Sequence, residues 1–334
     1  MTELWALVLA AGEGKRMHSS LPKVMHPLCG RPMLSYILES VAELTEQILV
    51  VVGHGASHVQ EALGDKWSYV LQREQLGTGH AVMQALDSLP QEGTLLILCG
   101  DTPLLESKDL FNLQQMQTGY AAVVATTNLP DPAGYGRVIR GRDGLIESIV
   151  EEKDASAEQK RICEINTGTY CFDLKMLRRY LPLLTTDNEQ KEYYLPDVIA
   201  LIHKDGHAVG ACLIEDSRVG LGINNRAQLA EAASLLRRRI NNALMLQGVS
   251  IEDPNSAYID YDIKVGVDTV IRPGCTIEKG TIIGTGCLIG PGTHLCAARI
   301  NDRVVIRQSV VEDSIIENDT HVGPFALIRH QGRK

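Results

Sequence analysis

The sequence predicts an α/β domain with a mostly parallel sheet, followed by a parallel β-helix of hexapeptide repeats. Three observations carry this. Strand-like apolar runs alternate with helix-like stretches over residues 1–224, one long amphipathic stretch follows, and beyond Tyr258 apolar residues recur every six positions. Alternating strands and helices favour a sheet covered on both faces. No helix or ordinary hairpin has a period of six, whereas a solenoid with flat stacked faces does.

Taken in order, strand-like runs occupy 4–9, 47–52, 94–98 and 121–125, with helical stretches such as 32–44, 77–89 and 108–117 between them. Residues 225–247 read as one helix joining the two halves, because Leu229, Ala233, Leu236, Ile240 and Leu244 fall on one stripe. Gly248 is its expected stop. A first apolar row follows at Val265, Ile271, Ile277, Ile283, Ile289 and Leu295. A second runs through Val304, Val310, Ile316, Val322 and Ile328, three residues out of phase, so a longer loop is expected at 296–303.

Composition narrows the partners. The 334 residues carry a net charge of −9 and no dense Lys/Arg tract, which argues against nucleic acid and against an anionic membrane surface. The eight cysteines form no CxxC pair and read as reduced thiols of a cytoplasmic protein. The N-terminal apolar run has the wrong flanks for a signal peptide, and no segment approaches the roughly 20 apolar residues of a membrane span.

The first strand runs straight into Ala10-Ala11-Gly12-Glu13-Gly14, with Lys15, Arg16 and Lys23 behind it. A glycine turn after a strand, backed by cations, points to an anion site. The spacing matches neither the dinucleotide fingerprint nor a Walker loop. The backbone N–H groups of Gly12 and Gly14 are free of a Cβ that would hold phosphate oxygens off, and Arg16 and Lys23 suit a triphosphate. In such sheets the ligand sits at the carboxyl ends of the strands, which places this turn and Gly100-Asp101 at one edge of one cleft.

With its companion stretches the turn resembles the sugar-nucleotide pyrophosphorylases, or nucleotidylyltransferases. The residues that carry the likeness are LAAGEGKRM and LPKV in the first stretch, LQREQLGTGHAV (71–82), CGDTPLL (99–105), DPAGYGRVIR (131–140), IVEEKDA (149–155), EINTGTY (164–170), KEYYLPD (191–197) and GINNRAQL (222–229). With the hexapeptide tail they are similar to the N-acetylglucosamine-1-phosphate uridylyltransferases, which in bacteria usually form the first half of a bifunctional enzyme. The likeness implies a Rossmann-like nucleotidyltransferase domain at 1–224, a linker helix at 225–248 and a left-handed β-helix at 249–334. It implies Mg²⁺-dependent transfer of UMP from UTP to N-acetylglucosamine 1-phosphate, with one magnesium ion or two, and a homotrimer assembled through the β-helix. The tail stops at His330-Gln331-Gly332-Arg333-Lys334, about where the family's acetyltransferase residues begin, so no acetyl transfer is expected.

The same likeness assigns residues. Leu9, Ala10, Ala11, Gly12, Lys23, Gln72, Gly77 and Thr78 would bind the nucleotide. Cys99, Gly100, Asp101, Gly136, Glu151, Asn166 and Asn224 would bind the sugar nucleotide, Asp101 and Asn224 would hold the metal, and Lys23 and Arg16 would be catalytic. Several have a second reading in their residue chemistry. Gln72 carries a donor and an acceptor suited to a uracil edge, while Gly77-Thr78 could simply start a helix. Asp101 could be a turn residue and Asn224 a helix cap. Glu151 could belong to a solvated charge run, and Tyr193-Tyr194 could pack on a sugar ring or in a core. Two positions depart from the family: Lys15 stands where Thr is common, and Cys99 where Tyr or Asn is common. The rival functions are transfer to another sugar 1-phosphate, such as glucose 1-phosphate with UTP, dTTP or ATP, and a non-catalytic scaffold that senses a nucleotide.

Overall fold

A computed structural model describes residues 3–330. The chain forms two compact units: everything up to His26 with Pro32–Arg226, and Pro27–Arg31 with Ala227 onward.

In the first unit the apolar runs become the strands of a sheet. These are β1 (Leu4–Ala10), β2 (Ile48–Val52), β3 (Ser68–Leu71), β4 (Thr94–Cys99), β5 (Ala122–Asn128), β6 (Arg137–Arg140), β7 (Ile146–Val150), β8 (Glu164–Asp173) and β9 (Val209–Leu213). The main order is β9-β5-β8-β4-β1-β2-β3, with β6 pairing β8 and β7 at the side. Strands β4, β1, β2 and β3 are mutually parallel, as are β5 and β9, while β8 runs antiparallel between β4 and β5. A parallel strand buried on both faces needs a continuous apolar run, and all five residues of β2, ILVVV, are buried. The helices α1 (Met33–Ala42), α2 (Ala56–Leu63), α3 (Thr78–Ala85), α4 (Ser107–Met116), α5 (Leu174–Tyr180) and α6 (Asp197–Lys204) complete this unit. One core joins Leu7, Val51, Val82, Ile97, Val124, Phe172 and Leu195 across the sheet.

Two features of the sheet position the site. β1 has β2 on one side and β4 on the other, so chain order reverses at its carboxyl end and opens a crevice there. The β8 register shifts between Asn166 and Tyr170, a bulge completed by Gly168 at φ 79°. Such bulges re-aim side chains beside functional sites.

In the second unit the helix α7 (Arg226–Leu246) ends against Gly248, whose φ is 96° and whose N–H bonds back to Met245. Short parallel strands follow in three stacked sheets, a left-handed β-helix. Its axis is filled by Ile259, Ile271, Ile277, Ile283, Ile289, Leu295, Ile300, Ile306, Val311, Ile316 and Val322. The first coils repeat after eighteen residues, as Ile259 over Ile277 and Ile271 over Ile289.

The expected longer loop at 296–303 is absent, because Arg299–Ile300 forms a strand and Ile300 is buried. The coils instead tighten, to seventeen residues for Ile283 over Ile300 and sixteen for Leu295 over Val311. Shortened corners at Ala297, Gln308 and Asp313 adopt left-handed backbone, with φ of 49°, 43° and 43°. Val310, placed in the apolar row by its spacing, is only half-buried, and its neighbour Val311 points inward. Residues 331–334 of the expected β-helix lie outside the described residues. Among the described residues no helix is long and apolar enough to cross a membrane, and all eight cysteines are free.

Candidate active site

The glycine turn leaves β1 in an open conformation with a specific reason for its second glycine. Gly14 sits at φ 65°, and a Cβ there would lie 2.5 Å from Lys23 Cβ. The bare backbone therefore lets Lys23 cross behind the turn. A Cβ on Gly12 would meet nothing within 4 Å, so that face of the turn is open space. Leu9 O accepts from Gly100 N at 2.9 Å, tying the first turn to the second. Ala10 and Ala11 are buried, and Ala11 O accepts from His54 N at 3.4 Å.

Four candidates from across the unit meet at this point. Lys23 Nζ forms an ion pair with Asp101 and donates to Asn224 Oδ1 at 3.2 Å. Arg16 donates to the same Asn224 oxygen at 2.8 Å. Asn224 Nδ2 donates to Gly222 O at 3.1 Å, and Ile223 N donates to Asp101 O at 2.8 Å, so the segment before α7 is fastened to the end of β4. A Cβ on Gly222 would stand 3.1 Å from the Asp101 carboxylate, so glycine keeps that approach open. Arg226 Nε donates to Met17 O at 3.1 Å and pins the cationic turn from the same side. Lys15, by contrast, is exposed and pairs with Glu13 at 2.7 Å.

Asp101 and Asn224 thus aim hard oxygen donors at one cationic position, held here by the Lys23 ammonium. A carboxylate and an amide oxygen fit a magnesium site whose remaining ligands are phosphate oxygens and water. No group of three or more His, Cys, Asp or Glu side chains is placed to hold a metal among the described residues. An all-protein cage is therefore not what this donor set offers.

Gln72 follows β3 and is almost fully buried. Its Nε2 donates to Gly77 O at 3.2 Å and lies 3.1 Å from His80 Nδ1. Gly77 has φ 105°, and a Cβ there would run into Tyr193 O at 2.6 Å. Thr78 begins α3, but its hydroxyl accepts from Leu195 N at 3.1 Å instead of capping the helix.

The third cluster lies past Cys99. Burial pushes the Cys99 thiol up to about 12, with the neighbouring Asp101 charge adding to the shift. Its Sγ donates to Gly168 O at 3.4 Å, so it packs the bulge. Asn166 is held by that bulge: its Nδ2 donates to the Tyr170 hydroxyl at 2.7 Å and its Oδ1 accepts from Gly168 N at 3.0 Å. Gly136 O accepts from Asn166 N at 2.9 Å, and a Cβ on Gly136 would stand 3.1 Å from Glu151 Oε1. Glu151 is not part of a solvated run. Burial, reinforced by the Asp197 and Asp154 carboxylates, pushes its carboxyl up to about 7. Its neighbour Glu152 instead pairs with the buried Arg137 at 2.7 Å.

Sequence reasoning passed over Asp197, His80, Gly222 and Arg226. Asp197, raised to about 6 by burial and then by Asp154, starts α6 and reads in sequence as an ordinary helix-opening acid. Only the quoted stretches KEYYLPD and LQREQLGTGHAV bracketed it and His80.

Comparison with known proteins places the fold and the family. The model of the MobA-like NTP transferase domain matches residues 6–160. The chain is 44% identical over 333 residues to the bifunctional protein GlmU of Listeria welshimeri, covering 98% of this chain and 73% of that one. It is 46% identical over 334 residues to GlmU of Enterococcus faecalis, with the same coverage. It is 48% identical over 331 residues to GlmU of Acetivibrio thermocellus, covering 98% and 72%. Among solved structures, a putative glucose-1-phosphate thymidylyltransferase from Bacillus anthracis aligns with a TM-score of 0.57 at 18% identity, over 70% of this chain and 95% of that one, a likeness of fold. With a nucleotidyltransferase domain leading into a β-helix and this identity along nearly its whole length, the chain belongs to the GlmU family.

Proposed function

We propose that this chain transfers UMP from UTP to N-acetylglucosamine 1-phosphate at the carboxyl ends of β1 and β4, releasing pyrophosphate. The observation that carries the reading is the convergence of Arg16, Lys23, Asp101 and Asn224, drawn from positions 208 residues apart at the extreme, on one point beside an open glycine turn. A phosphate oxygen of the sugar phosphate attacks the α-phosphorus in line. A new P–O bond forms there as the bond to the bridging oxygen of pyrophosphate breaks, and that oxygen leaves with the electron pair.

Phosphate is a competent nucleophile near neutral pH, so no general base is required of the protein. The barrier is repulsion between two polyanions, which positioning and fixed positive charge reduce. Lys23 and Arg16 neutralise the phosphates, and the N–H groups of the Gly12–Gly14 turn add donors. Magnesium held by Asp101 and Asn224 would supply further charge neutralisation between the phosphates. Lys23 is paired with Asp101 here, and with Asp101 holding a metal ion the Lys23 ammonium would be left to the nucleotide phosphates. Gln72 and Gly77 face the base, Thr78 lies at the same edge, and Gly136, Glu151 and Asn166 meet the sugar and its acetamido group.

Pyrophosphate release from UTP with N-acetylglucosamine 1-phosphate, set against glucose 1-phosphate and against dTTP or ATP, tests the substrates. Equal rates with both sugars would refute the sugar assignment. Asp101→Asn should raise the magnesium concentration needed for half-maximal rate, and an unchanged requirement would remove Asp101 from the metal site.

The chain works in this reading as a homotrimer joined through its β-helix, supported by the outward apolar side chains of Tyr258, Ile282, Ile315 and Leu327. Light scattering that gave a monomer at micromolar concentration would refute it. Eight free thiols fit a cytoplasmic enzyme.

A further inference from the structure

The amide of Gln72 has a hydrogen-bond economy that fixes which way it faces. Its backbone is held on both sides, with its N–H donated to Val52 O at 2.8 Å and its carbonyl accepting from Gln75 Nε2 at 3.3 Å. Of the side-chain amide, one proton goes to Gly77 O at 3.2 Å. A carbonyl oxygen only accepts, so the group facing it must be the NH₂. The second proton of the same nitrogen faces His80 Nδ1 at 3.1 Å. Nδ1 must then present its lone pair, and the ring proton sits on Nε2. The Gln84 amide lies 3.2 Å from Nε2, on an exposed side chain free to turn its oxygen to that proton. The ring itself is stacked on Tyr193, centroids 6.3 Å apart and planes 28° apart, and Tyr193 is tied by its backbone to Leu76 and Gly79.

Both protons of the Gln72 nitrogen are therefore committed to protein. Its Oε1 has no hydrogen-bond partner among the described residues, and neither has the N–H of Gly77. What this edge offers a ligand is an accessible acceptor on an otherwise buried side chain, with a backbone donor close by. Uracil carries a hydrogen on N3 flanked by carbonyl oxygens and matches it. Cytosine carries a lone pair on N3 and would set that pair against Oε1.

We propose that His80 is a positioning residue for the base: by accepting from Gln72 it locks the amide with oxygen toward the nucleotide and so sets the preference for a base that donates at N3. Without that acceptor the amide is held by Gly77 O alone, so its turned-over state becomes more populated and the site rejects cytosine less well. This rests on the reading of Gln72 as the base-facing residue.

The test is the ratio of kcat/KM for UTP to that for CTP. His80→Leu should lower the ratio about tenfold, the worth of one hydrogen bond. The change should appear mainly as a raised KM for UTP with kcat little altered. His80→Asn, whose Oδ1 replaces the Nδ1 lone pair, should restore the ratio, which a merely structural role for the ring would not require. Long-range ¹H–¹⁵N spectra of the unmodified protein should show a pyridine-like Nδ1 and a pyrrole-like Nε2 on His80. The opposite tautomer overturns the proposal even if the variants fold poorly. Gln72→Ala separates the two readings. If it leaves the ratio unchanged, Gln72 does not read the base. If it collapses the ratio while His80→Leu does not, Gln72 reads the base and His80 does not position it.

Discussion

The two ends of the crevice handle charge in opposite ways. At the turn after β1, Lys23 and Arg16 reach toward Asp101 and Asn224, and opposite charges or their hydrogen-bonding equivalents are paired. Beyond Cys99, Glu151 feels Asp197, Asp154 and Glu192 together, with Arg137 the cation that opposes them, and two of these acids hold their protons toward neutral pH. The Cys99 thiol lies between and feels Lys23, Asp101 and Glu151 at once. In the proposed reading the contrast follows from what each end would bind. Phosphates need fixed positive charge, whereas neutral hydroxyl and amide groups need hydrogen-bonding partners whose charge has been suppressed by burial.

Breaking the cationic end should have the largest effect. Lys23→Met should lower kcat by about 10²–10³, the usual loss when one charge-stabilising donor is removed, while circular dichroism stays unchanged. Glu151→Gln should instead act chiefly on KM for the sugar phosphate. Comparable losses of kcat from both would erase the distinction.

Next is Gly14→Ala, which leaves every charge in place. Its φ of 65° and the 2.5 Å approach to Lys23 Cβ predict a cost of about 1–3 kcal/mol, read as a lower urea midpoint at constant slope. Turnover should fall with it, because relief of the clash moves Lys23. Full activity at reduced stability would show that Lys23 need not be held so closely.

A smaller effect of opposite sign is expected at the acidic end. The Tyr194 hydroxyl is buried with no hydrogen-bond partner among the described residues, and burial raises its pKa, with Asp154 and Glu151 adding to it. Tyr194→Phe should therefore stabilise the protein by about 1 kcal/mol, seen as a higher Tm. A loss of stability would mean that the hydroxyl is satisfied.

How much of this the sequence discloses depends on the range of the interaction. The β-helix is legible because each coil repeats a local rule, an inward apolar residue every six, which neighbouring residues enforce. It stops being legible where the corners shorten without a glycine: Ala297, Gln308 and Asp313 take up left-handed backbone that their residue types do not advertise. The parallel strands β1, β2 and β4 are legible as apolar runs. The antiparallel insertion of β8 is not, since pairing partners lie far apart in sequence. Within the site, Lys23 and Asp101 are readable from a turn and a strand end. That Asn224 joins them follows only from a likeness between motifs, because its local context reads equally well as a helix start. The elevated acids Glu151 and Asp197 are not readable at all, because burial and the approach of carboxylates from β7, α6 and the loops beside them are properties of the folded unit.

The acidic end can be sharpened further by pH. Glu151 has an ordinary value of 4.5 and stands at about 7 in the folded protein. Between those values the native state binds more protons than the unfolded chain, so stability falls as pH rises through that window. Below 4.5 the carboxyl is protonated in both states and has no net effect on the slope; above 7 the penalty for ionising it in place is complete. Asp197, moved from 3.8 to about 6, adds a slope of the same sign at lower pH. Glu151→Gln removes its share of this slope, so the Tm of the variant relative to the parent should be higher at pH 8 than at pH 5. A Tm difference that is the same at both values would mean that Glu151 ionises normally in the fold. The acidic end would then be a second charged pole of the crevice, and the contrast with the Lys23 end would reduce to one of sign.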